Sequence, residues 1–293
     1  MAPKRADNAA ARVLILSIPP HPAGRKRLRH WWFRSMRIIR NTDYVRRRKR
    51  IARWAAFGGF VLLVSTFGLA FIPRFILLAY ALLLVGFVIF NYGMQQVGKW
   101  SRNPRNDVII DERLQPSGDT KRSPMFSDKY TLIHYAQVGK RVVEHALVYP
   151  GGVVVLTARE LPGLIQAKGG RWRKRSGGLT RFFSFSGPQL GNPSLETQQN
   201  IEAVEKLLAD NQMEVDVSGA IVFVNQMSEL EVEQPDYPVL HGTELPIFVR
   251  SLEDDPSITA KDRDELVRLL SGGIEFEETK PTRRPVKVKR RAA

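Results

Sequence analysis

The sequence contains no cysteine among its 293 residues. Disulfides, thiolate metal sites and cysteine nucleophiles are therefore excluded. Several enzyme motifs are also missing, since there is no GxGxxG, GxxxxGK[ST], GxSxG or HExxH, and the five histidines show no paired ligand spacing. Kinase, serine-hydrolase and zinc-protease functions have no support here. We expect no metal and no cofactor.

Charged residues are absent from two long apolar runs, 54–72 and 75–97. Each run is about 20 residues long, the length with which a helix crosses about 30 Å of hydrocarbon. In lipid, only a helix or a closed barrel satisfies the backbone polar groups. The runs predict a transmembrane helical hairpin over 51–100, with its hinge at Pro73 and Arg74. The alternative, a buried helical hairpin in a soluble core, is disfavoured by the length of the runs.

The flanks of the hairpin predict its orientation. Six Lys or Arg residues stand between positions 46 and 53, three follow the second run, and the connecting turn has only Arg74. Because Lys and Arg stay on the cytoplasmic side, both termini are expected to be cytoplasmic, with two spans in the cell (inner) membrane. Trp54 and Trp100, near the ends of the spans, are expected at the membrane interface.

The net charge of +16 is unevenly distributed along the chain. Residues 1–50 carry +13 and residues 280–293 carry +7, whereas residues 106–279 carry −9. A nucleic-acid-binding domain normally shows net positive charge. The basic character therefore belongs to an N-terminal arm and a C-terminal tail at 276–293, and the main soluble region is acidic.

Within the basic arm, residues 25–41 alternate aromatic and apolar residues with arginine at helical spacing. This pattern predicts an amphipathic helix lying in the interface, with anionic lipid headgroups as its partners. The alternatives are a helix that docks on another protein and a basic arm that binds nucleic acid. The residues predicted to contact the interface are Arg29, Trp31, Trp32, Arg34 and Arg37.

Residues 101–129 are rich in Pro, Ser and Gly and predict a linker, with a short strand at 108–110. Strand patterns then follow at 130–138, 142–149 and 153–159, and the continuous apolar run at 153–156 predicts a strand buried on both faces. A Gly-Gly turn between 163–168 and 171–175 predicts a hairpin.

The second half of the soluble region predicts helices and further strands. Asn192 and Pro193 are typical of a helix start, and this helix is expected to end near Asp210. Strands are predicted at 219–225 and 246–249. Thr259 and Asp262 predict a capped final helix. The order predicts a three-layer α/β domain over 130–275.

Several of these segments together resemble a known family. Glu144-His145 precedes a Pro150-Gly-Gly turn, the strand ending at Arg159 leads to Gly163, and a Gly-Gly-Arg-Trp hairpin comes before Asn192-Pro193. This order resembles the nuclease-related domain (NERD) family. The resemblance implies a restriction-endonuclease-like fold of the PD-(D/E)xK class, metal-dependent nuclease ancestry and a bacterial source.

The departures from the family pattern fall on the residues that would cut nucleic acid. By position, Glu144 stands for the family's Asp, Thr157 for its Glu and Arg159 for its Lys. Thr157 is neutral, and an arginine cannot act as a tunable base. Glu160 is expected to point to the opposite face of the strand, and the family's leading helix is expected to be missing. Phosphodiester cleavage is therefore disfavoured, and Glu144 and His145 are interpreted as a polar pair at a strand end.

A basic hairpin offers a second candidate surface. Its side chains could contact phosphate in nucleic acid or another anion, and the alternative is a solvated hairpin tip. The residues concerned are Arg171, Trp172, Arg173, Lys174, Arg175 and Arg181.

Three functional hypotheses follow from the sequence. The first is a membrane-anchored interaction or scaffold protein, an accessory subunit of a membrane complex with a non-catalytic nuclease-like domain. The second is a membrane-tethered nucleic-acid-binding protein, and the third is an active metal-dependent nuclease using Glu144 and Glu160. The hairpin is also a candidate assembly surface, because small residues allow close helix contact; these are Gly58, Gly59, Ala79 and Gly86.

Overall fold

A computed structural model of the chain describes residues 36–115, 126–175 and 189–272. The strands are β1 (Arg37–Arg40), β2 (Thr131–Val138), β3 (Arg141–Tyr149), β4 (Gly152–Arg159), β5 (Gly163–Lys168), β6 (Arg171–Arg175), β7 (Val217–Phe223), β8 (Ser228–Glu233) and β9 (Val239–His241). The α-helices are α1 (Thr42–Leu69), α2 (Ile76–Trp100), α3 (Asn106–Leu114), α4 (Pro193–Asp210), α5 (Leu245–Ser251) and α6 (Ala260–Ser271).

The main sheet has six strands in the order β1-β2-β3-β4-β7-β9. The pairs β2–β3 and β3–β4 are antiparallel, whereas β1–β2, β4–β7 and β7–β9 are parallel. Strand β4 lies in the interior of the sheet and is buried from Gly152 to Ala158. The continuous apolar run at 153–156 was therefore correctly interpreted as a strand buried on both faces.

Helices cover both faces of the main sheet, as the order of elements predicted. On one face, α3 and α5 contribute buried apolar side chains, namely Ile110, Leu114, Leu245 and Val249. On the other face, α4 and α6 contribute Val204, Leu208, Leu266 and Leu270. The result is a mixed α/β domain with its core on both sides of the sheet.

The starts of α4 and α6 follow the predicted capping. The Asn192 side chain accepts a hydrogen bond from the Leu195 backbone N–H at 3.1 Å, and Pro193 occupies the first turn of α4. Thr259 and Asp262 form a complete capping box. Helix α6 then ends at Gly272, whose φ of +66° is the left-handed conformation that favours glycine.

The two apolar helices α1 and α2 form a hairpin, joined by a 3₁₀ turn at Pro73–Phe75. Both helices are long and apolar enough to cross a membrane. Buried residues recur at every seventh position along the hairpin, and they are Ala52, Gly59 and Thr66 on α1 and Ala79, Gly86 and Gly93 on α2. This repeat gives a narrow seam of small side chains between the helices.

The seam is too close for larger residues. A Cβ atom added at Gly93 would lie 2.2 Å from the Ala56 backbone nitrogen, and one at Gly59 would lie 2.4 Å from that of Phe90. The small residues predicted to serve external assembly, Gly59, Ala79 and Gly86, are therefore used within the hairpin. Of that set only Gly58 faces outward, with no atom within 4 Å of an added Cβ.

Three local predictions were wrong. Residues 37–40 form strand β1, not part of a helix, because Ile38 and Ile39 pair with the edge of β2. The segment predicted as linker with a strand at 108–110 contains helix α3, whose buried residues Asp107, Ile110 and Leu114 repeat at helical spacing. The strand predicted at 246–249 is helix α5, with Leu245 and Val249 buried one turn apart.

Strands β8 and β9 were not predicted. Several predicted residues lie outside the described part of the chain: Arg29, Trp31, Trp32, Arg34, Arg181 and the tail 276–293. Arg37 is described, and its placement differs from the prediction. Its guanidinium donates to Thr131 Oγ1 at 3.1 Å and pairs with Asp264 at 2.8 Å. It thus belongs to the α/β domain and not to an interfacial helix.

Candidate functional site

A cleft of about 640 Å³ with several charged side chains in its lining lies where the end of α2 meets the α/β domain. Its charged lining residues come from α2, the α2–α3 connection, β3 and the end of β4; they are Lys99, Arg102, Arg105, Glu144, Arg159 and Glu160. The predicted opposite orientation of Glu160 is wrong. Strand β4 ends at Arg159, so the alternation of side chains stops there, and the cleft contains two carboxylates.

Each of the two carboxylates is paired with a cation from the end of the hairpin. Lys99 Nζ lies 2.5 Å from Glu144 Oε1, and Arg102 lies 2.6 Å from Glu160 Oε1. Burial would raise the pKa of Glu144, but the surrounding positive charges, chiefly the hydrogen-bonded Lys99 ammonium, together outweigh it and lower that pKa. For Glu160, burial dominates and the pKa is raised despite Arg102.

Thr157 and Arg159, which are predicted to stand at the family's Glu and Lys positions, hold α4 against β4. The Thr197 hydroxyl donates to Thr157 Oγ1 at 2.7 Å. Arg159 donates to the Leu190 carbonyl oxygen at 3.0 Å and pairs with Glu196. Thr157 does not line the cleft. The contacts of these two residues join the helix to the sheet.

Every cation of the cleft lining is paired with a carboxylate, and two of these carboxylates, Asp107 and Glu196, lie outside the lining. Arg105 completes the set, because its guanidinium binds both oxygens of Asp107, at 2.9 and 3.0 Å. All four cations of the lining therefore have a carboxylate partner. Within the ranges that the structure describes, no group of three His, Asp or Glu residues is arranged to hold a metal ion.

A buried polar chain in the same part of the domain connects α3 with β2 and β3. His134 Nε2 lies 2.8 Å from Asp111 Oδ1, and His134 Nδ1 lies 2.7 Å from His145 Nδ1. When both rings are neutral, His134 donates to Asp111 and His145 donates to His134. His145 Nε2 is then a bare lone pair, without a partner among the described residues. Burial lowers the pKa of His145 to about 3.

Arg40 links this chain to the start of α3. Its guanidinium pairs with Asp111 and, at 2.8 Å, with Asp107. The two aspartates are one helical turn apart and so face the same side. Burial would raise the pKa of Asp107, but the hydrogen bond from Arg105 and the charge of Arg40 lower it to about 2.

The sequence does not reveal this network, because its members lie in three separate segments. Asp107 and Asp111 were assigned to a linker and Arg40 to an interfacial helix. His134 and His145 are eleven positions apart and meet only because β2 and β3 pair antiparallel, in the register His134↔His145. Two predicted strands joined by a short turn were the one sequence signal for that contact.

An aromatic cluster packs the base of the hairpin on the domain. The ring centroids of Tyr44 and Trp100 are 5.7 Å apart, and those of Trp100 and Tyr135 are 5.5 Å apart. Tyr135 has a φ of +62°. Trp100 is buried, so its predicted place in the membrane interface is wrong. Trp54 is 66% exposed and remains available for that role.

The basic hairpin does not present its side chains as one patch. Its alternation places Arg171, Arg173 and Arg175 on one face of β6 and the residues between them on the other. The Trp172 indole N–H donates to Ser194 Oγ at 2.8 Å, and the ring packs on Phe223. Trp172 is thus engaged within the domain and does not lie on the arginine face.

The fold and the cleft define a mixed α/β domain that has two carboxylates in one cleft and is joined to two apolar helices. Residues 110–224 match the family model described as nuclease-related domain, NERD. The match confirms the resemblance seen in the sequence, and it spans α3 to β7, including the cleft residues Glu144, Arg159 and Glu160. No curated protein and no solved structure matches the chain.

Proposed function

We propose that this protein is a membrane-anchored interaction protein, an accessory subunit of a membrane complex, whose nuclease-related domain does not cleave nucleic acid. One observation carries the non-cleaving part: Lys99 and Arg102, at the end of the hairpin, pair with the two carboxylates of the cleft. A nuclease of the metal-dependent type needs such carboxylates for Mg²⁺.

Two further features support the absence of cleavage. Thr157 offers a neutral hydroxyl that is already bonded to Thr197, and Arg159 is bound to α4 through Glu196. Neither residue is free to hold a metal ion or to orient an attacking water. The second candidate, nucleic-acid binding, has weaker support, because each cation of the cleft is already paired with a carboxylate and residues 106–279 are acidic.

The proposed lack of nuclease activity can be tested by a nuclease assay on the full-length protein in mild detergent. We expect no Mg²⁺- or Mn²⁺-dependent cleavage of DNA or RNA by the native chain. We expect none either from Lys99→Ala/Arg102→Ala, in which both carboxylates lose their cation, because Thr157 still leaves the metal site incomplete. The matched control is Lys99→Ala/Arg102→Ala/Glu144→Ala.

Two results of this assay would contradict the proposal. Cleavage by the native protein that disappears in Glu144→Ala would establish an active nuclease. Cleavage that appears only in Lys99→Ala/Arg102→Ala and is lost in the triple variant would establish a nuclease held inactive by its own hairpin.

Membrane anchoring is supported by the outer surface of the hairpin. Large apolar side chains cover it, with Leu77 at 82% and Phe71 at 74% exposure. An apolar surface of this extent is unfavourable in water. The arginines that precede the first span and the single arginine of the turn support cytoplasmic termini.

The proposed topology predicts the labelling of single cysteines, which the native chain lacks. In intact spheroplasts, a membrane-impermeant maleimide is expected to label Arg74→Cys, in the turn. It is expected to label Lys206→Cys, on the exposed side of α4, only after the membrane is permeabilised. Labelling of Lys206→Cys in intact spheroplasts would show that the topology is the reverse of the one proposed. Extraction of the protein in soluble form, with both cysteines labelled equally, would show that the hairpin is not a membrane anchor.

A further inference from the structure

The small sheet has three strands, in the order β6-β5-β8, and its solvent face carries two rows of opposite charge. The registers of β5 with β6 and with β8 place both rows on the same face. The basic row on β6 is Arg171, Arg173 and Arg175, and the acidic row on β8 is Glu229, Glu231 and Glu233. All six residues are exposed.

The other face of this sheet is covered by the protein itself. Ile165, Trp172 and Leu230 lie on it and pack with Leu161 and Phe223. The charged face therefore points away from the core, and its rows are separated by the width of β5. Neighbouring strands lie about 4.8 Å apart, so the two rows are roughly 10 Å from each other.

The two rows have few partners within the chain. Glu231 accepts a hydrogen bond from Gln166 at 2.6 Å, and Glu233 pairs with Lys168 at 3.1 Å. No carboxylate of the described residues pairs with Arg171, Arg173 or Arg175. A face with an unpaired basic row beside an acidic row is complementary in charge to the same face of a second copy that is rotated by 180°.

We propose that this face binds a second copy of the chain. When two such sheets pack face to face, a two-fold axis parallel to the strands places β6 of each copy over β8 of the other. A two-fold axis across the strands would instead place arginine over arginine. Only the first arrangement pairs opposite charges, and it is isologous, as in most protein dimers.

The strand registers also place the opposite charges at the same positions along that axis. Arg173 and Glu231 both pair with Gln166, and Arg171 and Glu233 both pair with Lys168. Arg173 of one copy therefore faces Glu231 of the other, on both sides of the axis. Nucleic acid fits this face less well, because the acidic row would repel its phosphates.

Charge reversal tests the proposal in the full-length protein in a nonionic detergent, by sedimentation velocity. Exposed charge pairs are weak and are screened by salt. We expect a dimer at about 50 mM NaCl that dissociates at about 500 mM. Arg173→Glu and Glu231→Arg each bring two pairs of like charges together, so each alone is expected to weaken the dimer at least about tenfold.

An equimolar mixture of the two variants is the decisive sample. Every reversed charge then faces its complement in the other chain, so the mixture is expected to recover the native dimer. This recovery cannot come from a variant that fails to fold. A second measurement uses Gln166→Cys, which lies on the axis: a short bis-maleimide is expected to cross-link two copies, whereas the exposed control Lys206→Cys stays uncross-linked.

Three outcomes would overturn the proposal. The first is a native protein that is monomeric at the lower salt concentration. The second is a dimer that both single variants form as well as the native chain, which would place the contact elsewhere, such as on the apolar hairpin. The third is a mixture that stays as monomeric as its components. None of these results depends on whether the cleft cleaves nucleic acid.

Discussion

Replacing Gly93 by leucine is expected to separate the two long helices of the hairpin. The Cβ of Gly93→Leu would lie 2.2 Å from the Ala56 nitrogen and 2.5 Å from its Cα. Both are backbone atoms, so no rotamer change relieves the overlap and the helices themselves must move apart. Overpacking a fitted interior costs about 1–3 kcal/mol or more, and this contact is at the severe end.

The measurement is thermal unfolding of the detergent-solubilised protein, followed by size-exclusion profile and near-UV circular dichroism. Gly93→Leu is expected to lower the melting temperature and to broaden or aggregate the peak. Gly58→Leu is the matched control, because it adds the same side chain to the same hairpin where no atom lies within 4 Å. Equal behaviour of the two variants would show that the seam is not tightly packed in solution.

The same seam shows what the sequence could and could not predict. Two uncharged runs with a proline between them were sufficient to predict two helices and their hinge. Which small residues face inward was not readable, because Gly58 and Gly59 are adjacent and only one of them meets α2. That choice depends on the rotation of each helix about its axis, which composition does not determine.

In the α/β domain, the sequence predicted the elements whose own pattern decides their structure. Strands β2, β3, β4 and β7 have apolar strand patterns, β5 and β6 flank a Gly-Gly turn, and helices α4 and α6 begin with capping residues. The prediction was wrong for strand β1, because the positions of Ile38 and Ile39 fit one side of a helix as well as they fit a strand. The strand forms because these residues pair with the edge of β2, which lies almost a hundred residues further along the chain.

The candidate site, too, could be predicted only in part from the sequence. Glu144 and Arg159 were identified by their order along the chain, and the structure brings them into one cleft. The cations that pair with the cleft carboxylates were not identified, because Lys99 and Arg102 were interpreted as topology signals at the end of a span. Their pairing with the cleft carboxylates depends on the docking of the hairpin base on β2 through Trp100 and Tyr135.

Removing the carboxylate of Asp107 is expected to be the most destabilising single change in the α/β domain. Asp107 is fully buried and binds Arg40 and Arg105 at once, at 2.8 and 2.9 Å. Asp107→Ala therefore leaves two mostly buried guanidinium groups without this partner. Breaking a buried ion pair on one side typically costs about 3–5 kcal/mol, because the remaining charge stays desolvated.

Asp264→Ala is the matched control for this prediction. It also removes an aspartate from an arginine, Arg37, but at a site where the carboxylate is 67% exposed. Exposed pairs contribute about 0–1 kcal/mol. In thermal unfolding, Asp107→Ala is expected to lower the melting temperature by roughly 10 °C and Asp264→Ala by no more than about 3 °C. Similar shifts for the two variants would contradict the structural role of the Arg40–Asp107–Arg105 group.

The pH dependence of a second substitution at this position, Asp107→Asn, separates charge from packing. The pKa of Asp107 in the folded protein, about 2, lies below its ordinary value of 3.8. A lowered folded-state pKa contributes stability that is complete above the unfolded value and is lost as the pH falls through the folded value. The advantage of the native chain over the nearly isosteric Asp107→Asn should be full at neutral pH, where the shift corresponds to about 2 kcal/mol, and should shrink between about pH 4 and pH 2. A difference that stays constant over that range would mean that the shape of the side chain, and not its charge, stabilises the start of α3.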